Sequence, residues 1–143
     1  MSSDGAPIRI LSVDDHPLLR EGVASLIAGQ PDMTLVAEAE NGEQALRAFR
    51  EHQPDIVLMD VQMPVMNGVE ATRRIRAELP ATAVVLLPMS VEERDLFEAR
   101  KQGARGYVLK NTPARQLHER LREVLRGEVP LSAAIATKIL DEF

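Results

Sequence analysis

The chain reads as an α/β protein on a doubly wound, five-stranded parallel sheet, and two observations point there. Short apolar, β-branched runs alternate with helix-periodic segments five times over, the pattern of repeated β/α units with right-handed crossovers. Three of the runs also end in side chains that a phosphate-transfer site would use: Asp14-Asp15, Asp60 and Lys110. Carboxyl ends of parallel strands lie along one sheet edge, so these residues, distant in sequence, converge in space.

The elements follow in order. Residues 1–7 are expected to form a disordered N-terminus. Ile8 to Val13 is an apolar run broken by one Arg, and Asp15-His16-Pro17 then offers an N-cap and an early-turn proline. Leu19, Val23, Leu26 and Ile27 follow at helical spacing until Gly29-Gln30-Pro31 stops them. Thr34 to Ala39 is the second strand, Asn41-Gly42 a turn, and Ala45, Leu46 and Phe49 a helix face. Asp55 to Met59 is the third strand, with the continuous apolar character of one buried on both faces. A third helix covers Val65 to Leu79, with Val69, Thr72, Ile75 and Leu79 inward. Ala83 to Leu87 is the fourth strand and stops at Pro88. A helix near Glu92 to Gln102, a strand from Gly106 to Leu109 and a helix from Pro113 to Arg126 complete the set, with Gly127 as a C-terminal stop. One domain therefore spans residues 8–127. Residues 128–143 carry one apolar face, Ile135, Ile139, Leu140 and Phe143, and read as a linker or docking helix toward an output domain that is not in this sequence.

Bulk composition narrows the function. The 143 residues are 45% hydrophobic and 27% charged, enough for one real core. Zero cysteines exclude disulfides, thiolate metal sites and cysteine nucleophiles, and are compatible with a reducing compartment. No apolar run is long enough to suggest a membrane span, and the start lacks a basic region before an apolar stretch. A cytoplasmic protein without membrane association is expected. The net charge of −5 argues against a long phosphate-binding surface on this chain.

The acids carry the chemistry. Two like charges about 4 Å apart cost roughly 4 kcal/mol at an effective dielectric near 20, so three clustered carboxylates need a cation or a proton. Oxygen donors select a hard ion, and a site that also takes a phosphoryl group favours Mg²⁺. His16 sits at a helix start because of Pro17, which sets it apart from the ligand set. Asp60 reads as the nucleophile, since a carboxylate can attack phosphorus and form an aspartyl-phosphate. Lys110 supplies fixed positive charge against the transferred oxygens. Taken singly, Asp15 reads equally well as a helix cap, Lys110 as a solvated strand end and Gly68 as a plain turn residue.

Local wording then matters. Val13-Asp14-Asp15-His16-Pro17, Met59-Asp60-Val61-Gln62-Met63-Pro64, Asn67-Gly68 and Gly103-Ala104-Arg105-Gly106-Tyr107-Val108-Leu109-Lys110 together resemble the response-regulator receiver domain of two-component signalling, in its NarL/FixJ-type transcriptional subgroup. The resemblance covers about residues 8–127. It implies a flavodoxin-like strand order 2-1-3-4-5 and a phosphoryl group passed to Asp60 from a sensor histidine kinase. Asp15, Asp60 and the Gln62 carbonyl would ligate Mg²⁺, with Asp14 acting through water. It also implies a homodimer, and DNA binding only through a helix-turn-helix output domain beyond the linker.

Two positions depart from the family. Receivers usually carry Thr or Ser where this chain has Pro88, which has neither a hydroxyl nor an N–H; the Met89 N–H remains available to phosphate. In the family that hydroxyl is coupled to an aromatic on the fifth strand, here Tyr107. Signal transmission is therefore expected to weaken more than phosphorylation. Asn111 stands where many receivers have proline with a cis bond, so a trans peptide is expected. Two competing functions are weighed against this reading. A phosphatase of the haloacid-dehalogenase type needs an acid two residues after the nucleophile, and Gln62 is there instead. A phosphorylation-independent interaction module is the other, and Pro88 favours it.

Overall fold

A computed structural model describes residues 6–89, 96–128 and 140, with the side chains of residues 96 and 97 left aside. The expectations for residues 1–5, for the start of the helix near Glu92 and for nearly all of the C-terminal linker lie outside the described residues.

Five strands, β1 (Ile8–Val13), β2 (Met33–Ala39), β3 (Ile56–Asp60), β4 (Ala83–Leu87) and β5 (Gly106–Tyr107), form one sheet in the order β2-β1-β3-β4-β5. Every pairing is parallel. The connecting helices are α1 (Pro17–Ala28), α2 (Gly42–His52), α3 (Gly68–Glu78), α4 (Leu96–Lys101) and α5 (Ala114–Leu125).

Alternation along the strands divides the core into two layers. Leu11 and Val13, Val57 and Met59, and Val84 and Leu86 pack with Leu46, Phe49, Ala71 and Ile75 on the side of α2 and α3. Their sequence neighbours Ile10, Ile56, Leu58, Val85 and Leu87 pack with Ile27, Leu117, Leu121 and Val124 on the side of α1 and α5. Each fully buried Leu, Ile or Val contributes about 1.5–3 kcal/mol, so β1, β3 and β4 are held from both faces. The order of strands reverses between β1 and β3, and a crevice opens at such a switch point outside their carboxyl ends.

Several boundaries differ from the sequence reading for identifiable reasons. Asn41 is the N-cap of α2, its side chain accepting from the Gln44 N–H at 2.9 Å, and Gly42 is already helical. The α3 helix begins at Gly68 rather than Val65, because Val65 has φ 70 and Asn67 caps the helix by accepting from the Glu70 N–H. His16, not Asp15, stands at the N-cap of α1, and its side chain makes no capping bond. Regular pairing in β5 stops at Tyr107. The N–H donors to Val84 O and Leu86 O are Arg105 and Val108, three positions apart against two on β4, so β5 carries an extra residue and bulges. The Lys110–Asn111 peptide is trans, with no cis bond among the described residues. No helix there is long and apolar enough to cross a membrane.

Candidate functional site

Asp14 and Asp15 leave the end of β1, Asp60 ends β3, and Lys110 follows the β5 bulge. The Asp14 N–H donates to Ala39 O at 3.1 Å, which ties the end of β1 to β2. The Asp14 carbonyl accepts from Arg20 Nη1 at 2.6 Å, and this fixes the turn into α1. On the other side, the Lys110 N–H donates to Pro88 O at 2.9 Å. Pro88 thus positions Lys110 through its carbonyl, a contact that does not depend on its side chain.

The side chains meet as the strand ends require. Lys110 Nζ lies 3.0 Å from Asp60 Oδ1 and 3.3 Å from Asp14 Oδ2. Asp14 and Asp60 are each 4% exposed. Asp60 Oδ2 is buried and has no hydrogen-bond partner, which leaves one carboxylate oxygen unsatisfied in the crevice. An orphaned buried acceptor of this kind costs about 1–3 kcal/mol and marks a place for a ligand.

Electrostatics follow from three acids facing one ammonium. Burial, reinforced by the charges of Asp14 and Asp15, pushes the Asp60 carboxyl up to about 6 although the Lys110 hydrogen bond pulls it down. For Lys110, burial opposes the charge, but Asp60 and Asp14 outweigh it and hold the ammonium above the ordinary lysine value. The two shifts look opposed for one ion pair, and a surplus of negative charge explains both. The cluster is short of a cation.

Asp14, Asp15, His16 and Asp60 each present a ligand atom, all within 4.8 Å of one another. An oxygen-rich set in which Asp15 Oδ1 and Asp60 Oδ2 are both buried without a hydrogen-bond partner fits a divalent cation. His16 enters this group unforeseen. Pro17 forces its backbone into the extended region (φ −99°, ψ 110°), and from there the ring turns back over the acids. Its Nδ1 lies 2.9 Å from Asp14 Oδ1 and 3.2 Å from Asp15 Oδ1.

Gly68 also gains a role that its type did not disclose. It is buried at the first turn of α3, and its N–H donates to Val61 O at 2.8 Å. A Cβ there would overlap the Asp60 carbonyl oxygen and stand 3.1 Å from Val61 Cα. The glycine permits α3 to start against the backbone that carries Asp60, so it is a contact residue of the site and not merely a turn former.

The remaining candidates lie around this centre. Gln62 is exposed in the loop after β3. Pro88 is buried just past β4, whereas the Met89 side chain is exposed. Tyr107 is 1% exposed, packed in the core layer of α2 and α3 rather than in the acidic cluster. Burial raises its phenol pKa against the opposing effect of Arg100.

Comparison with known proteins gives a consistent picture. A family model described as the response regulator receiver domain matches residues 10–122. The nitrate/nitrite response regulator protein NarL of Escherichia coli K12 is 41% identical over 133 residues, 93% of this chain and 62% of that protein. The uncharacterized transcriptional regulatory protein YxjL of Bacillus subtilis is 40% identical over 94% of this chain and 62% of its own length. The chain thus spans less than two thirds of the length of these curated relatives. Among solved structures, a two-component response regulator of the LuxR family from Aurantimonas superposes with a TM-score of 0.84 at 37% identity, covering 96% of this chain and 98% of that one. The signal receiver domain of a putative response regulator NarL from Mycobacterium tuberculosis gives 0.82 at 31% identity, over 86% and 99% of the two chains.

Proposed function

The chain belongs to the response regulator receiver family, in its NarL/LuxR-type branch, and on that premise we propose that Asp60 is a phosphoacceptor served by a sensor histidine kinase. Members of the family are signalling proteins, so transfer onto Asp60 sets a state rather than turning over a substrate. The observation that carries the reading is the geometry of Asp60: Oδ1 is paired with Lys110, while Oδ2 is buried and unpartnered in the crevice.

The free oxygen attacks phosphorus. A P–O bond forms as the P–N bond of the kinase phosphohistidine breaks, and the electron pair stays on the imidazole nitrogen, which takes a proton from water. Lys110 stays in place through its N–H bond to Pro88 O and offers its ammonium to an oxygen of the transferred group. The Met89 N–H is a second donor. Asp15, Asp60 and the Gln62 carbonyl would hold Mg²⁺, with Asp14 acting through water. When bound, the ion neutralises the acids and the oxygens of the transferred group.

Pro88 and Tyr107 belong to the response rather than to the transfer. A hydroxyl at position 88 would add a contact of about 0.5–1.5 kcal/mol, against about 1.5–3 for the charged one from Lys110. Acceptor chemistry therefore persists while coupling weakens. Residues 8–127 form the receiver and 128–143 a linker. Homodimerisation, a cytoplasmic setting and an attached DNA-binding domain complete the reading, the last supported by the name of the transcriptional relative.

A second reading, a docking module that no longer uses phosphate, draws support from Pro88. One experiment separates the two. The protein is incubated with Mg²⁺ and a small phosphoryl donor and its mass is measured beside Asp60→Asn. A stable gain of one phosphoryl group, absent in the variant, is expected; no uptake under any condition favours the docking module. Rapid release of phosphate without accumulation would point instead to turnover.

A further inference from the structure

We infer that the cavity between α1 and α5 is a binding site for a small, uncharged, single-ring aromatic molecule. Such binding does not depend on whether Asp60 accepts phosphate.

The cavity is built from apolar positions of three elements. Alternation along β4 sends Leu87 to the layer of α1 and α5, helical spacing does the same for Val23 and Leu26 on α1, and Leu117 begins the buried face of α5. With Leu109 these side chains line a space of about 150 Å³. Leu18, Leu19 and Gly22, all exposed, form its outer edge on α1. Thr112 is the one uncharged polar residue of the lining. Asp14 and Lys110 also border the space, but their charges answer each other, with Lys110 Nζ 3.3 Å from Asp14 Oδ2.

Two features keep the space open. Gly22 lies inside α1, where glycine is less favourable than alanine. A Cβ there would meet nothing within 4 Å, so no close approach calls for the glycine, and its missing side chain leaves the entrance clear. The bonds that join α5 to α1 and to the turn after it lie further along both segments. His118 Nε2 donates to Leu26 O at 2.9 Å, and Arg122 reaches Gln30 Oε1 at 2.7 Å and Asp32 Oδ2 at 2.8 Å. These bonds fix the helix pair from one side of the cavity, so a guest enters a space already formed.

Size and lining then set the ligand. An apolar cavity of about 150 Å³ stays dry and takes a molecule the size of benzene. Leucine and valine walls return dispersion contacts to a flat ring, and they offer a charged group nothing in exchange for its water. An anion drawn to Lys110 would also meet Asp14 and Asp60, which stand 3.3 and 3.0 Å from the same ammonium. A single hydroxyl on the ring is tolerated, because Thr112 can donate to it or accept from it.

The test titrates the chain with benzene, phenol and benzoate while the leucine and valine methyl groups are followed by NMR. Saturable shifts centred on Val23, Leu26, Leu87, Leu109 and Leu117 are expected for benzene and phenol, with Kd on the order of 0.1–1 mM. Benzoate should bind at least about ten times more weakly. Gly22→Leu puts side-chain atoms into the open space, and Val23→Phe fills it from the next position. Each should weaken benzene binding at least about tenfold while the methyl shifts of the α2 and α3 layer stay unchanged. Shifts that remain linear with concentration, or that spread over both core layers, would mean a solvent effect and overturn the inference. Equal affinity for benzoate, or undiminished affinity for benzene in either folded variant, would overturn it as well. So would the same methyl shifts arising as protein concentration is raised without ligand, since a side chain of a second copy would then fill the cavity.

Discussion

The two halves of the crevice are built differently. At the ends of β1 and β3 the acids sit on strands buried on both faces, and α3 begins in direct contact with the Asp60 backbone through Gly68. At the end of β5 the sheet is slighter: β5 pairs regularly over two residues, and the Lys110 backbone is held by its N–H bond to Pro88 O. On the reading proposed above, the first half is the acceptor. The second has the shorter strand, and it carries Pro88 where the resemblance to the family implies a hydroxyl-bearing residue. If Asp60 is the acceptor and Pro88 and Tyr107 belong to the response, the two rest on separable supports, and one can be altered while the other stays.

The sharpest way to break the acceptor half is Gly68→Ala. The added methyl has no room against the Asp60 carbonyl, and the obstacle is backbone rather than a flexible side chain. A loss of about 3 kcal/mol in urea unfolding is expected. A loss below about 1 kcal/mol would mean that α3 and β3 slide apart easily and that the contact at Gly68 does not hold them.

Charge gives the next effect. Asp60 keeps its proton up to about pH 6 in the folded chain, against an ordinary value of 3.8. The stabilisation from the bound proton is complete below 3.8 and is lost as the pH rises through about 6, so the ionised form costs on the order of 2–3 kcal/mol above that. In metal-free protein, Asp60→Asn should raise stability by about 2 kcal/mol at pH 7.5 and hardly at all at pH 4. Unfolding at the two pH values with a chelator present checks this. A gain independent of pH would assign the effect to something other than ionisation.

These two cases also show what the sequence disclosed. The positions of Asp14, Asp15, Asp60 and Lys110 followed from apolar runs and their ends, because parallel topology alone brings such ends together. The burial of β3 on both faces followed from its continuous apolar run. Gly68 and His16 were harder to read for a common reason. Their roles depend on where a loop returns, and neither residue type nor period carries that information; Gly68 was indistinguishable from a turn residue, and His16 from an ordinary helix start. The early end of β5 was hidden too, since a one-residue bulge leaves an apolar run unchanged. The trans bond at Asn111 was legible from the absence of proline alone.

On the response half, Pro88→Thr sharpens the contrast directly. Restoring the hydroxyl should leave the phosphorylated fraction unchanged and strengthen phosphorylation-dependent dimerisation by up to about tenfold, the shift that roughly 1.4 kcal/mol produces. Mass measurement and sedimentation of the same samples read both quantities. Equal dimerisation in the two proteins would reduce Pro88 to a strand end, with output resting on other contacts.

The smallest effect lies back in the acceptor half, in the loop from Asp60 to Gly68. Val65 is 77% exposed and adopts φ 70, a left-handed conformation that β-branched residues avoid. Strain of this kind costs about 1–3 kcal/mol and survives where the surroundings over-determine it. Here the surroundings are the Asn67 cap and the start of α3 at Gly68, which the Asp60 backbone holds in place. Glycine at position 65 adopts the same backbone without strain, and exposure means that little packing is lost. Its greater freedom in the unfolded chain takes back about 1 kcal/mol. Val65→Gly should therefore stabilise the protein by about 0.5–1 kcal/mol in urea unfolding. A loss of stability instead would show the valine side chain packed in the folded protein, and the acceptor loop would then be held by that packing rather than by the helix that follows it.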